Sequence, residues 1–266
     1  MKYLFDYRRE IKEKLSSNQK IILLMDYDGT LTPIVKRPEL AVLDQETREI
    51  IKNLSKNRRF RVGVISGRTL RDVKRLVGLK NLYYAGNHGL EASGPGFHYI
   101  HPGMEETVYV MRAVAYKLNN SAKCLKGIVV ENKVYSVSFH YRMMSPSKRR
   151  QAIRLFMDAV RPYLRGRGFR VFKNKMVLEL MPDAGFGKGD IAIRIVDAAS
   201  GGGKGVGVVY VGDDNTDEDA FKALRKAGIT VVVGRRKSKA MYYLKDVGDV
   251  LKMLKLLNSG ITGAIN

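Results

Sequence analysis

A chain of 266 residues, 45% hydrophobic and 9% aromatic, holds enough apolar material for one large core or two modest ones, which excludes global disorder. No run approaches the ~20 apolar residues of a membrane span, positions 1–20 mix charge with apolar residues where a secretory signal would be continuous, and the single Cys124 permits no internal disulfide. Lys and Arg number 48 against 26 Asp and Glu, a net charge of +22, so the long-range field favours anionic partners. The expectation is a cytoplasmic protein with no membrane partner. Short basic clusters at 148–150, 165–170 and 235–239 interrupt an otherwise dispersed distribution, the pattern of a solvated surface. Nucleic acid is therefore not the expected ligand, and a basic nucleic-acid-binding protein is the remote alternative.

In chain order, residues 21–25 form an apolar run ending in Asp26-Tyr27-Asp28-Gly29-Thr30. This reads as a buried parallel strand meeting a loop at its carboxyl end, where open α/β sheets bind ligands. A helical pattern over 44–55 leads to a second strand at 61–65 that ends in Ser66-Gly67-Arg68. Helical spacing resumes over 70–77, and a third strand follows at 82–85. Strands alternating with helices predict a doubly wound parallel sheet.

The middle of the chain changes character. A helix near 105–118 precedes paired strands at 128–131 and 134–140, turned at Asn132-Lys133. Ser145-Pro146 then marks a helix start, with the helix reaching about Tyr163, before strands at 169–172 and 176–181. This order predicts a separate α+β unit over 92–182, inserted into an α/β core made of 1–91 and 183–266. Beyond Pro182 the alternation returns, with helices over 188–198, 216–227 and 246–257 and strands over 206–211 and 229–233. The glycine-rich stretch 200–205 lacks the spacing of a phosphate loop and reads as a connection.

Asp26 and Asp28, two apart on an extended segment, face one side and suit a shared magnesium ion. Such a pair divides phosphoryl transfer: one carboxylate attacks phosphorus, the other protonates the leaving oxygen and then activates water. Gly29 permits a sharp turn, and Thr30 is placed to hydrogen-bond within the loop. Ser66 follows a strand, where its hydroxyl suits a phosphoryl oxygen. Lys188 opens a helix after Gly187, adding an ammonium to the helix N-terminus. Asp213, Asp214 and Asp217 follow the strand over 206–211 and offer hard oxygen ligands. Tyr27 alternates away from the two aspartates into packing. His98 and His101, with metal-like spacing but no evident partners, are read as surface residues, and Cys124 as a small filler near a helix end.

The sequence resembles the haloacid dehalogenase superfamily, whose four motifs look like DYDGT at Asp26, ISGR at Ser66, GKG at Lys188 and GDDNTDED at Asp213. The resemblance implies a Rossmannoid core with an α+β cap, Asp26 as nucleophile, Asp28 as acid, base and backbone magnesium ligand, and Asp213 as a further ligand. It implies Ser66 and Lys188 as phosphate binders, with Asp214 and Asp217 orienting groups around them. A finer resemblance, to trehalose-6-phosphate phosphatases, rests on GNHGLE at Gly86 to Glu91, on Glu131, Lys133, Ser136, His140, Tyr141 and Arg142, and on Glu179 in ELMP. It implies a sugar phosphate substrate contacted by Asn87, His88, Arg68, Glu131, Lys133 and Glu179. Charged groups on a hairpin equally suit a solvent face. Sucrose phosphate or a glycosyl or mannosyl phosphoglycerate are the alternative substrates. Asn215 stands where many relatives have arginine, positions 1–20 match no assignable segment, and association with a trehalose-phosphate synthase is not readable from the chain.

Overall fold

The structure, a computed structural model of the chain, describes residues 1–165, 168–174 and 176–260. Within the basic cluster at 165–170, Arg167 lies outside the described residues. The chain begins with β1 (Lys2–Tyr3), a short 3-10 turn, α1 (Arg8–Ser16) and β2 (Lys20–Met25). Next come α2 (Gln45–Lys56), β3 (Phe60–Ile65), α3 (Leu70–Val77), β4 (Tyr83–Gly86), β5 (Glu91–Gly94) and β6 (Phe97–Ile100). The middle contributes α4 (Met104–Ala122), β7 (Val129–Asn132), β8 (Val137–His140), α5 (Arg149–Leu164), β9 (Phe169–Asn174) and β10 (Val177–Pro182). The last part adds α6 (Lys188–Ser200), β11 (Val206–Gly212), α7 (Asp217–Leu224), β12 (Gly228–Val233), β13 (Tyr242–Leu244) and α8 (Val247–Gly260).

Two compact units result, Met1–Tyr99 with Gly187–Asn266, and Ile100–Phe186. The hairpin strands β5 and β6 fall in the nine-stranded sheet, where β5 pairs antiparallel with β4, and the units divide after Tyr99 and Phe186 where the element order gave 91 and 182.

Among the described residues the first unit holds a nine-stranded sheet in the order β1-β13-β12-β11-β2-β3-β4-β5-β6. Its strands run parallel from β1 through β4. Ile21, Ile22, Leu23, Leu24 and Met25 are all fully buried, as a central strand covered by helices on both faces requires. Asp44 caps α2 by accepting the Thr47 N–H at 2.9 Å, and Thr69 caps α3 in the same way at Asp72. The glycine-rich stretch after α6 supplies a left-handed C-cap at Gly201, as a connection would.

Positions 1–20 are not an appendage. β1 adds an edge strand beside β13, and the Tyr3 hydroxyl donates to Asp249 at 2.9 Å. Two residues are too few for a period-2 pattern to register.

The second unit is an antiparallel sheet, β7-β8-β10-β9. Val137, Phe139, Leu178 and Leu180 on one face pack with Met111, Leu118 and Phe156 of α4 and α5. The β7–β8 turn spans Lys133 to Ser136, with the Lys133 N–H on the Ser136 carbonyl and Val134 left-handed, so the expected Asn132-Lys133 turn is displaced by one residue or more. Ser145 makes no side-chain cap, and Pro146–Lys148 form a 3-10 turn before α5. Cys124 is exposed, not a filler, because α4 ends two residues before it.

Candidate active site

Three adjacent parallel strands, β11, β2 and β3, end in register, with Met25 opposite both Val211 and Val64. The Asp26 N–H continues the ladder by donating to the Val211 carbonyl at 2.8 Å, which fixes Asp26 at the strand tip. Tyr27 is fully buried and its hydroxyl donates to the Ala41 carbonyl at 2.8 Å, so it does point away from the carboxylates. Hydrogen bonds from the N–H of Gly29 to the carbonyl of Thr32 and from that of Leu31 to Tyr27 then close a tight loop. Gly29 sits at φ +92°, and a Cβ there would overlap the Asp213 carboxylate. Glycine is therefore what lets the loop after β2 meet the loop after β11.

Lys188, the first residue of α6, is buried and places its Nζ 2.6 Å from Asp26 Oδ1 and 2.9 Å from Asp217 Oδ1. Burying an ammonium is tolerable only with such partners. Burial works against its charge, but Asp217 and Asp26 outweigh it and hold the Lys188 pKa well above the ordinary lysine value. Asp217 is tied on every side, accepting also from the Tyr210 hydroxyl at 2.8 Å and from the backbone N–H groups of Asp213 and Asp214 at 3.0 Å each. Burial raises the Asp26 pKa well above the carboxylate range; Lys188 counters this, and Asp217, Asp213 and Asp214 reinforce it. Asp214 is lowered in spite of burial, by the Lys188 charge and by the Thr216 hydroxyl and N–H that it accepts.

Carboxylate oxygens of Asp26, Asp213 and Asp217 lie within 4.8 Å of one another, a hard-oxygen set suited to a divalent cation such as magnesium. Since Asp217 already accepts four hydrogen bonds, the fit rests on Asp26 and Asp213. Asp28, by contrast, turns its carboxylate to Arg68, with Nε to Oδ2 at 2.7 Å and Nη2 to Oδ1 at 2.6 Å. Thr30 Oγ1 is buried without a hydrogen-bond partner among the described residues, not bonded within the loop as its position suggests.

Ser66 is buried just past β3, its Oγ accepting the Arg68 N–H at 3.1 Å. Arg68 also donates to the Pro38 carbonyl at 2.8 Å, and its guanidinium stands over the Tyr27 ring. Asn87 and His88 are buried with positive φ of 47° and 58°, and their N–H groups donate to the carbonyls of Arg68 and Ser66. A Cβ on Gly67 would meet the His88 ring, so the ISGR and GNHG segments interlock through a glycine. His98 is exposed and the His101 ring lies tilted against Phe186 with centroids 4.8 Å apart, and neither belongs to a metal-like cluster among the described residues.

In the second unit, Glu131 of β7, Ser138 of β8 and Glu179 of β10 lie directly opposite one another across the strands, on the face away from α4 and α5. Glu179 is buried and takes a hydrogen bond from Lys133 Nζ at 3.3 Å and one from the Ser136 hydroxyl. Glu131 Oε2 lies 3.0 Å from His140 Nε2; although burial opposes it, that bond and the Lys133 charge lower the Glu131 pKa. With Glu179 and Lys133 buried and paired, and Glu131 half-buried against His140, these groups are not a solvated hairpin face.

Two contributors were given no role from the sequence, although Glu91 closes the GNHGLE segment. Tyr210 reads as one more apolar strand residue, yet it holds Asp217. Glu91 accepts the Leu70 N–H at 2.8 Å and the Asn87 side chain at 2.7 Å, bracing the loop after β4 against the start of α3.

The sequence profile of the family described as Trehalose-phosphatase matches residues 24–247. The chain is 32% identical to probable trehalose-phosphate phosphatase G of Arabidopsis thaliana, over 91% of this chain and 70% of that one. It is 31% identical to trehalose 6-phosphate phosphatase RA3 of Zea mays, over 91% and 71%. The C-terminal domain of a trehalose-6-phosphate phosphatase from C. albicans shares the fold, with a TM-score of 0.81 at 24% identity over 94% of this chain and 96% of that one. A trehalose-6-phosphate phosphatase from Aspergillus fumigatus gives a TM-score of 0.62 at 27% identity over 94% and 97%.

Proposed function

Because the chain belongs to the trehalose-phosphatase family of the haloacid dehalogenase superfamily, we propose that it hydrolyses trehalose 6-phosphate with Asp26 as the phosphoryl acceptor and magnesium as the cofactor. The observation that carries this reading is the buried Lys188 ammonium shared by Asp26 and Asp217, with Asp213 seated against the Gly29 turn. A buried carboxylate with a fixed cation at its side is a nucleophile arranged to receive an anionic group.

An Asp26 oxygen attacks phosphorus while the bond to the sugar oxygen breaks, and Asp28 gives that oxygen a proton. Asp28 then takes a proton from water, whose oxygen attacks the aspartyl phosphate, releasing phosphate and restoring Asp26. Arg68 must release or share Asp28 for these transfers, which makes it a partner of the acid as well as a candidate phosphate contact. Lys188 and Ser66 bind the non-bridging oxygens, with Asn87 and His88 on the neighbouring loop. Asp26, Asp213 and the backbone of Asp28 would hold magnesium, which would supply positive charge against the transferring group. Asp214 and Asp217 orient Lys188 and the loop that carries Asp213. Glu131, Lys133 and Glu179 are assigned to the sugar hydroxyls, which charged, pre-paired acceptors and donors recognise well. Cys124 stays reduced in the cytoplasm, the compartment this reading places the enzyme in.

Phosphate release from trehalose 6-phosphate, sucrose phosphate and mannosyl phosphoglycerate, each with magnesium or with EDTA, tests the proposal. A kcat/KM at least tenfold higher for trehalose 6-phosphate, abolished by EDTA, is expected. Preference for another sugar phosphate overturns the substrate, and release unaffected by EDTA overturns the cofactor.

A further inference from the structure

Arg236 lies in the loop after β12, 21 positions beyond Asn215 in the sequence, and its guanidinium closes on the loop that carries Asp213. Nε donates to the Asp213 carbonyl at 3.0 Å and Nη2 to the Asp214 carbonyl at 2.7 Å. Nη1 approaches Asn215 Oδ1 at 3.5 Å, and Nη2 pairs with Glu218 Oε1 at 2.9 Å. Glu218 in turn accepts the Lys239 N–H at 2.8 Å, so the loop after β12 and the start of α7 are tied twice. The N–H groups of the same two residues donate to Asp217 Oδ2 at 3.0 Å each. The 213–214 backbone is thus clamped between a buried carboxylate on its donor side and a guanidinium fork on its acceptor side.

We propose that Arg236 is a positioning residue for metal binding, fixing the backbone that aims the Asp213 carboxylate. This rests on the phosphatase reading above. Three carboxylates crowd positions 213, 214 and 217, and aiming the Asp213 carboxylate at a cation requires the backbone of this loop to be held in one arrangement against their mutual repulsion. A planar fork bonds two successive carbonyls at once, which a lysine ammonium on a single point cannot do. Groups that act one step behind a metal ligand typically change metal affinity by about 10- to 100-fold. Since Arg236 is part exposed and acts through the backbone, the low end applies.

The test titrates magnesium into wild-type, Arg236→Ala and Arg236→Lys protein by calorimetry, alongside thermal melts and steady-state kinetics. Magnesium affinity of Arg236→Ala should fall about tenfold, with kcat restored to within about twofold at saturating magnesium and KM for the sugar phosphate unchanged. Arg236→Lys should melt close to wild type yet recover less than half of the lost affinity. Unchanged affinity in either folded variant overturns the proposal, as does full recovery with lysine, which would mean that charge alone suffices. A kcat loss that excess magnesium does not repair also overturns it, by making Arg236 a contributor to the chemical step. If wild-type protein neither binds magnesium nor releases phosphate, the phosphatase reading falls and takes this proposal with it.

Discussion

Lys188 has exchanged water for two carboxylates, and the exchange is what separates the roles of the acidic residues around it. Asp217 is consumed by holding Lys188, Tyr210 and two backbone N–H groups. Asp26 accepts only one of these contacts, at Oδ1 from Lys188, and the proposed mechanism makes its carboxylate the nucleophile. Asp26→Asn preserves the shape of the side chain but cannot form an acyl phosphate, so kcat should fall by more than a thousandfold, or over about 4 kcal/mol of barrier. Retention of a tenth of wild-type turnover in phosphate-release assays would rule out the covalent role. Asp28 can be separated from Asp26 by choice of leaving group. Asp28→Asn should lose at least tenfold more activity on the sugar phosphate than on p-nitrophenyl phosphate, whose leaving group needs little protonation. Equal losses on the two substrates would show that Asp28 does not serve as leaving-group acid.

At the scale of elements, the core alternation of strand and helix was legible because β2, β3, β11 and β12 are buried runs bounded by turn residues, and α3 carries a cap, an amphipathic stripe and a glycine stop. The three motif-bearing loops were legible for the same reason: each follows a strand of this kind. What escaped was short or distant in sequence. β1, at the sheet edge, and β13 beside it are only two and three residues long, and the Arg236 clamp joins segments that no local period connects. Asp44 shows a local signal at work. Its carboxylate accepts the Thr47 N–H at the start of α2, and although partial burial opposes it, these bonds lower its pKa. A depressed folded-state pKa contributes stability above the unfolded value near 3.8, which is lost as pH falls through the folded value. Asp44→Ala should therefore destabilise by about 1 kcal/mol at pH 7 in denaturant melts, a gap that narrows below pH 3.8. A gap that stays constant with pH would mean that the helix start is stabilised without the charge. The β7–β10 row makes a different point: alternation predicts which face Glu131 and Glu179 share, but not that Glu179 is buried on Lys133 and Glu131 held by His140. Glu131→Ala should lower kcat/KM for trehalose 6-phosphate by roughly 10- to 100-fold, from a charged hydrogen bond of about 1.5–3 kcal/mol, and leave p-nitrophenyl phosphate hydrolysis nearly unchanged. Equal losses on both would assign Glu131 to folding of the sheet.

The whole molecule sets a surface of net charge +22 around a cluster of buried carboxylates, and the two act over different ranges. Surface lysines and arginines attract a sugar phosphate dianion through solvent, where the field decays over about 8 Å at physiological salt and about 3 Å at 1 M. Lys188 is buried with its partners at 2.6 and 2.9 Å, inside the distance at which mobile ions can intervene. Salt should therefore act on encounter and not on chemistry. Raising ionic strength from 0.05 to 0.5 M should increase KM for the sugar phosphate severalfold while kcat stays within about twofold. Duplex DNA, drawn by the same dispersed surface charge, should bind no tighter than the ~10⁻⁴–10⁻⁶ M of non-specific complexes at physiological salt. At ten micromolar duplex it should not inhibit turnover by more than half. A kcat that collapses with salt while KM holds would place exposed charge in the chemical step. Nanomolar, sequence-selective DNA binding at physiological salt would instead make the basic surface a recognition site in its own right, and the phosphatase centre one of two activities on the chain.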